Sequence, residues 1–207
     1  MKKKYKVVRK KNLSKKNKEQ VFLIMREEND KSILSNLNKK TIFQYLEIVV
    51  NSSLLDLYVI TFKQNIVGYS IISKKPKYLI SEFLSLKFNI LNSLILNYKF
   101  ITIINLVISF LRIDMIFLNK ASIKKINQNY NLNLLAIKNK YQSKGLGKFF
   151  LFEIFKNLKK NKNKNYITCE TFDARAVKFY IQKCKFKIIG SKIRFFKNLL
   201  ILGRKVR

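Results

Sequence analysis

Gln142-Ser143-Lys144-Gly145-Leu146-Gly147 stands between two apolar runs, Asn133-Leu134-Leu135-Ala136-Ile137 and Lys148-Phe149-Phe150-Leu151-Phe152-Glu153-Ile154-Phe155. The first run predicts a strand and the second the start of a helix. A basic turn at such a junction gathers backbone N–H groups, because the first-turn amides of a helix have no partner within it and the macrodipole adds positive charge there. An anion binds at such a place, and a pyrophosphate fits it. Gly145 and Gly147 let the backbone approach a phosphate with no Cβ in the way.

Three phosphate-loop patterns compete. A P-loop needs Gly-x4-Gly-Lys-Ser/Thr; Gly147-Lys148 fits, but Gln142 and Phe149 replace the upstream glycine and the hydroxyl. A dinucleotide fingerprint needs a third glycine where Phe150 stands. The third pattern, Gln/Arg-x-x-Gly-x-Gly/Ala, matches at Gln142, Gly145 and Gly147. Downstream, a strand-like Tyr166-Ile167-Thr168-Cys169-Glu170 leads into a helical segment, residues 173–186, with Asp173, Ala176, Phe179, Tyr180 and Phe186 in a fixed register. Together the two blocks resemble the GNAT (Gcn5-related) N-acetyltransferase family, in which an Asn-x-x-Ala-x-x-Leu/Phe-Tyr helix ends in Gly-Phe. The resemblance is firm over residues 131–190 and loose over most of the chain.

This chain departs from the family at three places. Asp173 replaces the usual Asn; its carboxylate accepts hydrogen bonds but cannot donate them, though it can cap a helix. Lys185 replaces a helix-ending glycine, which implies strain or a different helix stop. Asn139 stands where Pro often sits, a neutral change.

The 207 residues suffice for one domain with a full core. The formal charge is +33, yet only seven of the 44 basic residues are Arg. Abundant Lys, Asn and Ile point to compositional bias as the source of the charge. The resulting field attracts nucleotides, anionic substrates and anionic lipid, and it repels polyamines and aminoglycosides. With no histidine, Ser-His-Asp and Cys-His catalysis and His-containing zinc sites are excluded. Cys169 and Cys184 do not have metal-ligand spacing, so no metal is expected; Cys169 reads as a buried strand thiol, and two lone cysteines suit a reduced cytoplasmic setting. No apolar segment of signal-peptide type follows the basic start.

Elsewhere the pattern predicts a strand at residues 5–9, a helix from Ser14 with Val21, Ile24 and Met25 inward, and a helix over 41–51 with Ile42, Tyr45, Leu46, Val49 and Val50 apolar. Strands at 57–62 and 66–72 flank a Lys63-Gln64-Asn65 turn. Residues 80–118 are apolar with polar residues at helical spacing, an amphipathic helical insertion. Arg112 and Asp114 argue against a membrane span. Two readings stand: it packs on the sheet or covers the acceptor site, or it contacts an anionic membrane surface (peripheral, at the inner membrane) or a second copy in a homodimer. Residues 159–165 read as a polar loop without the aromatic interleaving of a nucleic-acid site. The tail reads as final strands over 188–202 and a basic end, Arg204-Lys205-Val206-Arg207.

The expectation is a single α+β domain over 1–207 whose central strand precedes the phosphate turn. The resemblance adds a mixed, mostly antiparallel central sheet flanked by helices. It implies acetyl transfer from acetyl-CoA to a primary amine, and the positive field adds the expectation of a small, anionic or amino-sugar acceptor. Leu135, Ala136, Ile137, Gln142, Ser143, Lys144, Gly145, Leu146, Gly147, Lys148 and Asp173 would bind the donor, and Tyr180 would protonate the leaving thiolate. Glu82, Asp114 and Glu170 are candidates for the base, each with a competing role as a lysine partner. A protein or peptide N-acetyltransferase and a non-catalytic acyl-CoA-binding module are the rival readings.

Overall fold

A computed structural model describes residues 4–28, 37–78, 104, 118, 120–159, 166–194 and 197–206. Nearly all of the 80–118 insertion, with Glu82 and Asp114, lies outside the described residues, as does most of the 159–165 loop.

Strand β1 (Tyr5–Lys10) is followed by α1 (Lys15–Glu28) and α2 (Lys39–Asn51), then by β2 (Leu55–Phe62) and β3 (Asn65–Ser73). Helix α3 (Lys120–Gln128) precedes β4 (Tyr130–Ile137), a 3-10 turn (Asn139–Tyr141) and α4 (Leu146–Leu158). Strand β5 (Tyr166–Thr171), α5 (Ala174–Lys178) with a π-helical extension (Phe179–Lys183), β6 (Lys187–Arg194) and β7 (Lys197–Lys205) complete the chain. The seven strands form one sheet in the order β1-β2-β3-β4-β5-β7-β6. Among the described strands, only β4 and β5 run parallel; every other pair is antiparallel. The mixed, mostly antiparallel sheet flanked by helices is therefore as expected.

Side chains alternate across a strand, so each buried strand feeds two cores. Leu57, Val59, Ile66, Tyr69 and Ile71 pack with Val21, Ile24, Met25, Ile42, Leu46 and Val49 of α1 and α2. Tyr58, Ile60, Val67 and Ile72 pack with Phe150, Leu151, Ile154 and Phe155 of α4. With both faces covered, β2 and β3 read as nearly continuous apolar runs. Ser14 and Asn38 cap α1 and α2, accepting from the backbone N–H groups of Asn17 (3.3 Å) and Thr41 (2.8 Å).

Two details differ from the sequence reading. The β2–β3 turn has two residues, Lys63 and Gln64, at φ +46° and +66°, and Asn65 begins β3. Two left-handed residues match the twist of a hairpin, which Asn-Gly usually supplies; lysine and glutamine hide the signal. Helix α3 was not anticipated; its Ile126 packs on Leu118 and Ile201. The tail forms the expected final strands as a β6–β7 hairpin. Val206 is buried, and the Arg204 guanidinium lies 4.8 Å from the Phe152 ring centre and donates to the carbonyl of Cys184.

The helix after β5 closes in a π turn. The Cys184 N–H donates to Phe179 O at 3.2 Å and the Phe186 N–H to Tyr180 O at 3.0 Å. Lys185 turns the chain at φ +61°, in the left-handed region where a glycine costs nothing. Since its side chain is exposed, Lys185→Gly removes strain without removing packing. The expected gain is about 0.5–1 kcal/mol after the entropy that glycine adds to the unfolded chain. Thermal unfolding should rise by about 1–4 °C, and a fall of the midpoint counts against left-handed strain at this position.

Candidate donor site

Strand β4 pairs with β5 only from Tyr130–Leu132 to Ile167–Cys169. Beyond Leu132 the two strands part, and β4 runs on to Ile137 with no pairing to β5. At the same place the β3–β4 register slips, so that Ile72 faces Leu132 and Ile71 faces Leu134, with Asn133 as the extra residue of a bulge. The Lys138 N–H donates to Val67 O at 2.9 Å, which makes Gly68 and Ile137 a pair without mutual hydrogen bonds. Backbone direction alternates along a strand. Leu135 and Ile137 therefore turn their N–H and C=O groups to the open side, and Ala136, opposite Tyr69, turns its groups to β3.

The turn that follows is built from four constraints. The Gln142 N–H closes the 3-10 turn on Asn139 O at 2.9 Å. The Gln142 side-chain amide donates to Ile137 O at 2.7 Å and to Glu28 Oε2 at 2.6 Å. The Asn139 N–H donates to Glu28 Oε1 at 2.6 Å, a bond that a proline at this position could not make. Ser143 and Gly145 then adopt φ +59° and +72°. Gly145 is the N-cap of α4 and supplies no side-chain cap, and the first hydrogen bond of the helix runs from the Phe149 N–H to Gly145 O at 3.0 Å. Helix geometry leaves the N–H groups of Leu146, Gly147 and Lys148 without intrahelical acceptors. Among the described residues, a Cβ at Gly145 would meet nothing within 4 Å. One at Gly147 would stand 3.3 Å from the Phe179 ring, where α4 and α5 approach.

A cleft of about 650 Å³ lies against this turn, lined by Tyr5, Lys144, Gly145, Lys148, Phe149 and Phe152 among others. Its apolar rings and ammonium groups suit a ligand that carries both an aromatic or alkyl body and anionic charge.

Tyr180 is 8% exposed and packs its ring 5.2 Å from those of Phe179 and Phe186, centre to centre. Burial, reinforced by the Cys169 and Cys184 thiols, holds its phenol well above the ordinary value of 10.0, so the hydroxyl keeps its proton. Among the described residues that hydroxyl has no hydrogen-bond partner. Cys169 is the last β5 residue still paired to β4, and it shares one buried cluster with Leu132, Tyr180 and Cys184. Both cysteines are free and buried. Burial also pushes the Cys169 thiol up, against reaction as a nucleophile.

Asp173 caps α5, its Oδ1 accepting from the Ala176 N–H at 3.0 Å. Glu170 lies 3.0 Å from the Nζ of buried Lys192, the lysine partnership expected of it. Of the residues expected to bind the donor, Lys144, Gly145, Leu146 and Lys148 line the cleft, whereas Leu135, Ile137 and Tyr180 pack on or in the core beside α4. Gln142 is exposed and bonded to Glu28 and Ile137, and Ala136 is buried on the α1–α2 side of the sheet. Glu28 was missed: a glutamate at a helix end, 114 residues from Gln142, carries no local pattern.

No protein-family model matches the chain, and no curated protein matches it. Solved structures do. The ribosomal-protein-S18-alanine N-acetyltransferase from Escherichia coli is similar at TM-score 0.56 and 11% identity, over 98% of this chain and 94% of that one. A polyamine N-acetyltransferase from Drosophila melanogaster, which forms N-acetylagmatine, is similar at TM-score 0.61 and 8% identity, over 97% and 100%. A GNAT-family acetyltransferase from Streptococcus pneumoniae is similar at TM-score 0.55 and 14% identity, over 97% and 99%. With near-complete coverage in both directions, the chain has the fold of the GNAT acetyltransferases.

Proposed function

We propose that the chain is a single-domain N-acetyltransferase that moves the acetyl group of acetyl-CoA to a primary amine of a small acceptor. The observation that carries this reading is the concurrence, at one end of β4, of an unpaired strand edge, open first-turn amides and a tyrosine that stays protonated. The amides of residues 143–148 hold the pyrophosphate, and Leu135 and Ile137 offer backbone groups to the amide-bearing arm that leads to the thioester. Because Gln142 already occupies Ile137 O, Leu135 offers both its N–H and C=O and Ile137 chiefly its N–H. Binding far from the reacting carbon orients it, and each tenfold in rate corresponds to about 1.4 kcal/mol. As the amine nitrogen bonds to the carbonyl carbon and the C–S bond breaks, Tyr180 gives its proton to the sulfur. Asp173 organises the α5 terminus rather than offering an amide donor.

The net charge of +33 supports an anionic or amino-sugar acceptor over a cationic one. One similar structure is a polyamine N-acetyltransferase, but 8% identity carries no acceptor across. Preference for a polyamine over an amino-sugar nucleotide in a panel of amines overturns the anionic assignment. A cytoplasmic setting goes with the reading, supported by two thiols that stay free.

Calorimetric titration with acetyl-CoA tests the donor site. Gly145→Glu puts a carboxylate, on a strained left-handed residue, into the space before the amides. Repulsion of the pyrophosphate should weaken binding by about a hundredfold. Wild-type protein that binds no acetyl-CoA, or a variant that binds as well as wild type, rules the site out.

A further inference from the structure

Helix α1 belongs to the core on one face of the sheet and α4 to the core on the other. The turn between β4 and α4 has to cross the end of the sheet, and one side chain of α1 ties it down. Glu28, the last residue of α1, receives two hydrogen bonds of 2.6 Å, one on each carboxylate oxygen, from the Asn139 N–H and the Gln142 side-chain amide. Gln142 passes the constraint on by donating to Ile137 O at 2.7 Å. We infer that Glu28 is a positioning residue of the donor site, which fixes the 139–142 turn through its carboxylate and so presets both the open edge of β4 and the amides of 143–148. The inference rests on the acyl-donor reading of that turn.

The chemistry explains which side chains position 142 accepts. Its two neighbours, a carbonyl and a carboxylate, are both acceptors, so the residue between them has to donate twice. Glutamine and arginine can do so, whereas leucine and glutamate cannot. Charge on Glu28 shortens and strengthens both of its bonds relative to a neutral acceptor. Neither Glu28 nor Gln142 sits in a core, so removing either loosens the turn rather than the fold.

The test uses the full-length chain and two readouts. Without ligand, hydrogen exchange at the Asn139, Tyr141 and Gln142 amides should quicken about tenfold in Glu28→Ala and Gln142→Leu, the effect of losing a bond to a charged group. Exchange in β3 and α4 should not change. Gln142→Arg should exchange as wild type does. With CoA as the probe, affinity should fall about tenfold in Glu28→Ala and fall less in Glu28→Gln, which keeps one acceptor. Unchanged exchange at 139–142 overturns the inference even if CoA binds. Loosened exchange in a wild-type background that binds no CoA overturns instead the donor-site reading, and with it the purpose assigned to the clamp.

Discussion

Tyr180→Phe should lower kcat by about 10²–10⁴-fold, the usual contribution of a positioned proton donor. Acetyl-CoA affinity should stay within about twofold of wild type, because the ring packing on Phe179 and Phe186 is kept and only a hydroxyl without a described partner is lost. The pH dependence separates the two possible roles of a phenol. Tyr180 is held above its ordinary value by burial, so it is protonated throughout the neutral range and acts as an acid. It cannot serve as a base there. An alkaline loss of activity between pH 7 and 9 therefore belongs to another group and should appear in any residual Tyr180→Phe activity too. Equal kcat in wild type and variant leaves Tyr180 a core residue and moves proton delivery elsewhere.

Much of this arrangement is legible in the chain because it is local. Gly145 and Gly147 mark the turn through a backbone demand that few residues meet, and Gly145 does stand at φ +72°. Val21, Ile24 and Met25 declare the inner face of α1 by spacing alone, and all three are buried. What the chain hides is of two kinds. Some positions use the wrong residue for their conformation: Lys63, Gln64 and Lys185 are left-handed without being glycine, so the hairpin turn reads one residue too long and the helix exit reads as a changed stop without its π turn. Others depend on partners far apart in sequence. Nothing near Glu28 predicts a bond to Asn139 or Gln142, and nothing near Leu132 predicts that β5 will leave β4 there. The insertion at 80–118, the most unusual composition in the chain, lies outside the described residues.

Gly68→Ala should be the most damaging small substitution for both fold and site. Gly68 sits in β3 opposite Ile137, the last residue of β4. A Cβ there would stand 2.4 Å from Ile137 Cδ1, 2.7 Å from Ala136 O and 2.9 Å from Ile60 Cγ2. The isoleucine ends can rotate, but Ala136 O is backbone and held in the β3–β4 ladder. Relief therefore requires β4 to move away from β3 at Ala136–Ile137. Overpacking of this kind costs about 1–3 kcal/mol, and the backbone contact puts it at the upper end. In a chain of this length about 3 kcal/mol lowers the unfolding midpoint by about 6–12 °C. The displaced residues are also those that turn their backbone to the open edge. The surviving folded fraction should thus bind acetyl-CoA more weakly, by about tenfold for a lost hydrogen-bond alignment, even well below its unfolding temperature. Lowered stability with unchanged affinity would show that the end of β4 is packed by Gly68 without being shaped by it. The donor edge would then be set from the other side alone, by Gln142 and Glu28.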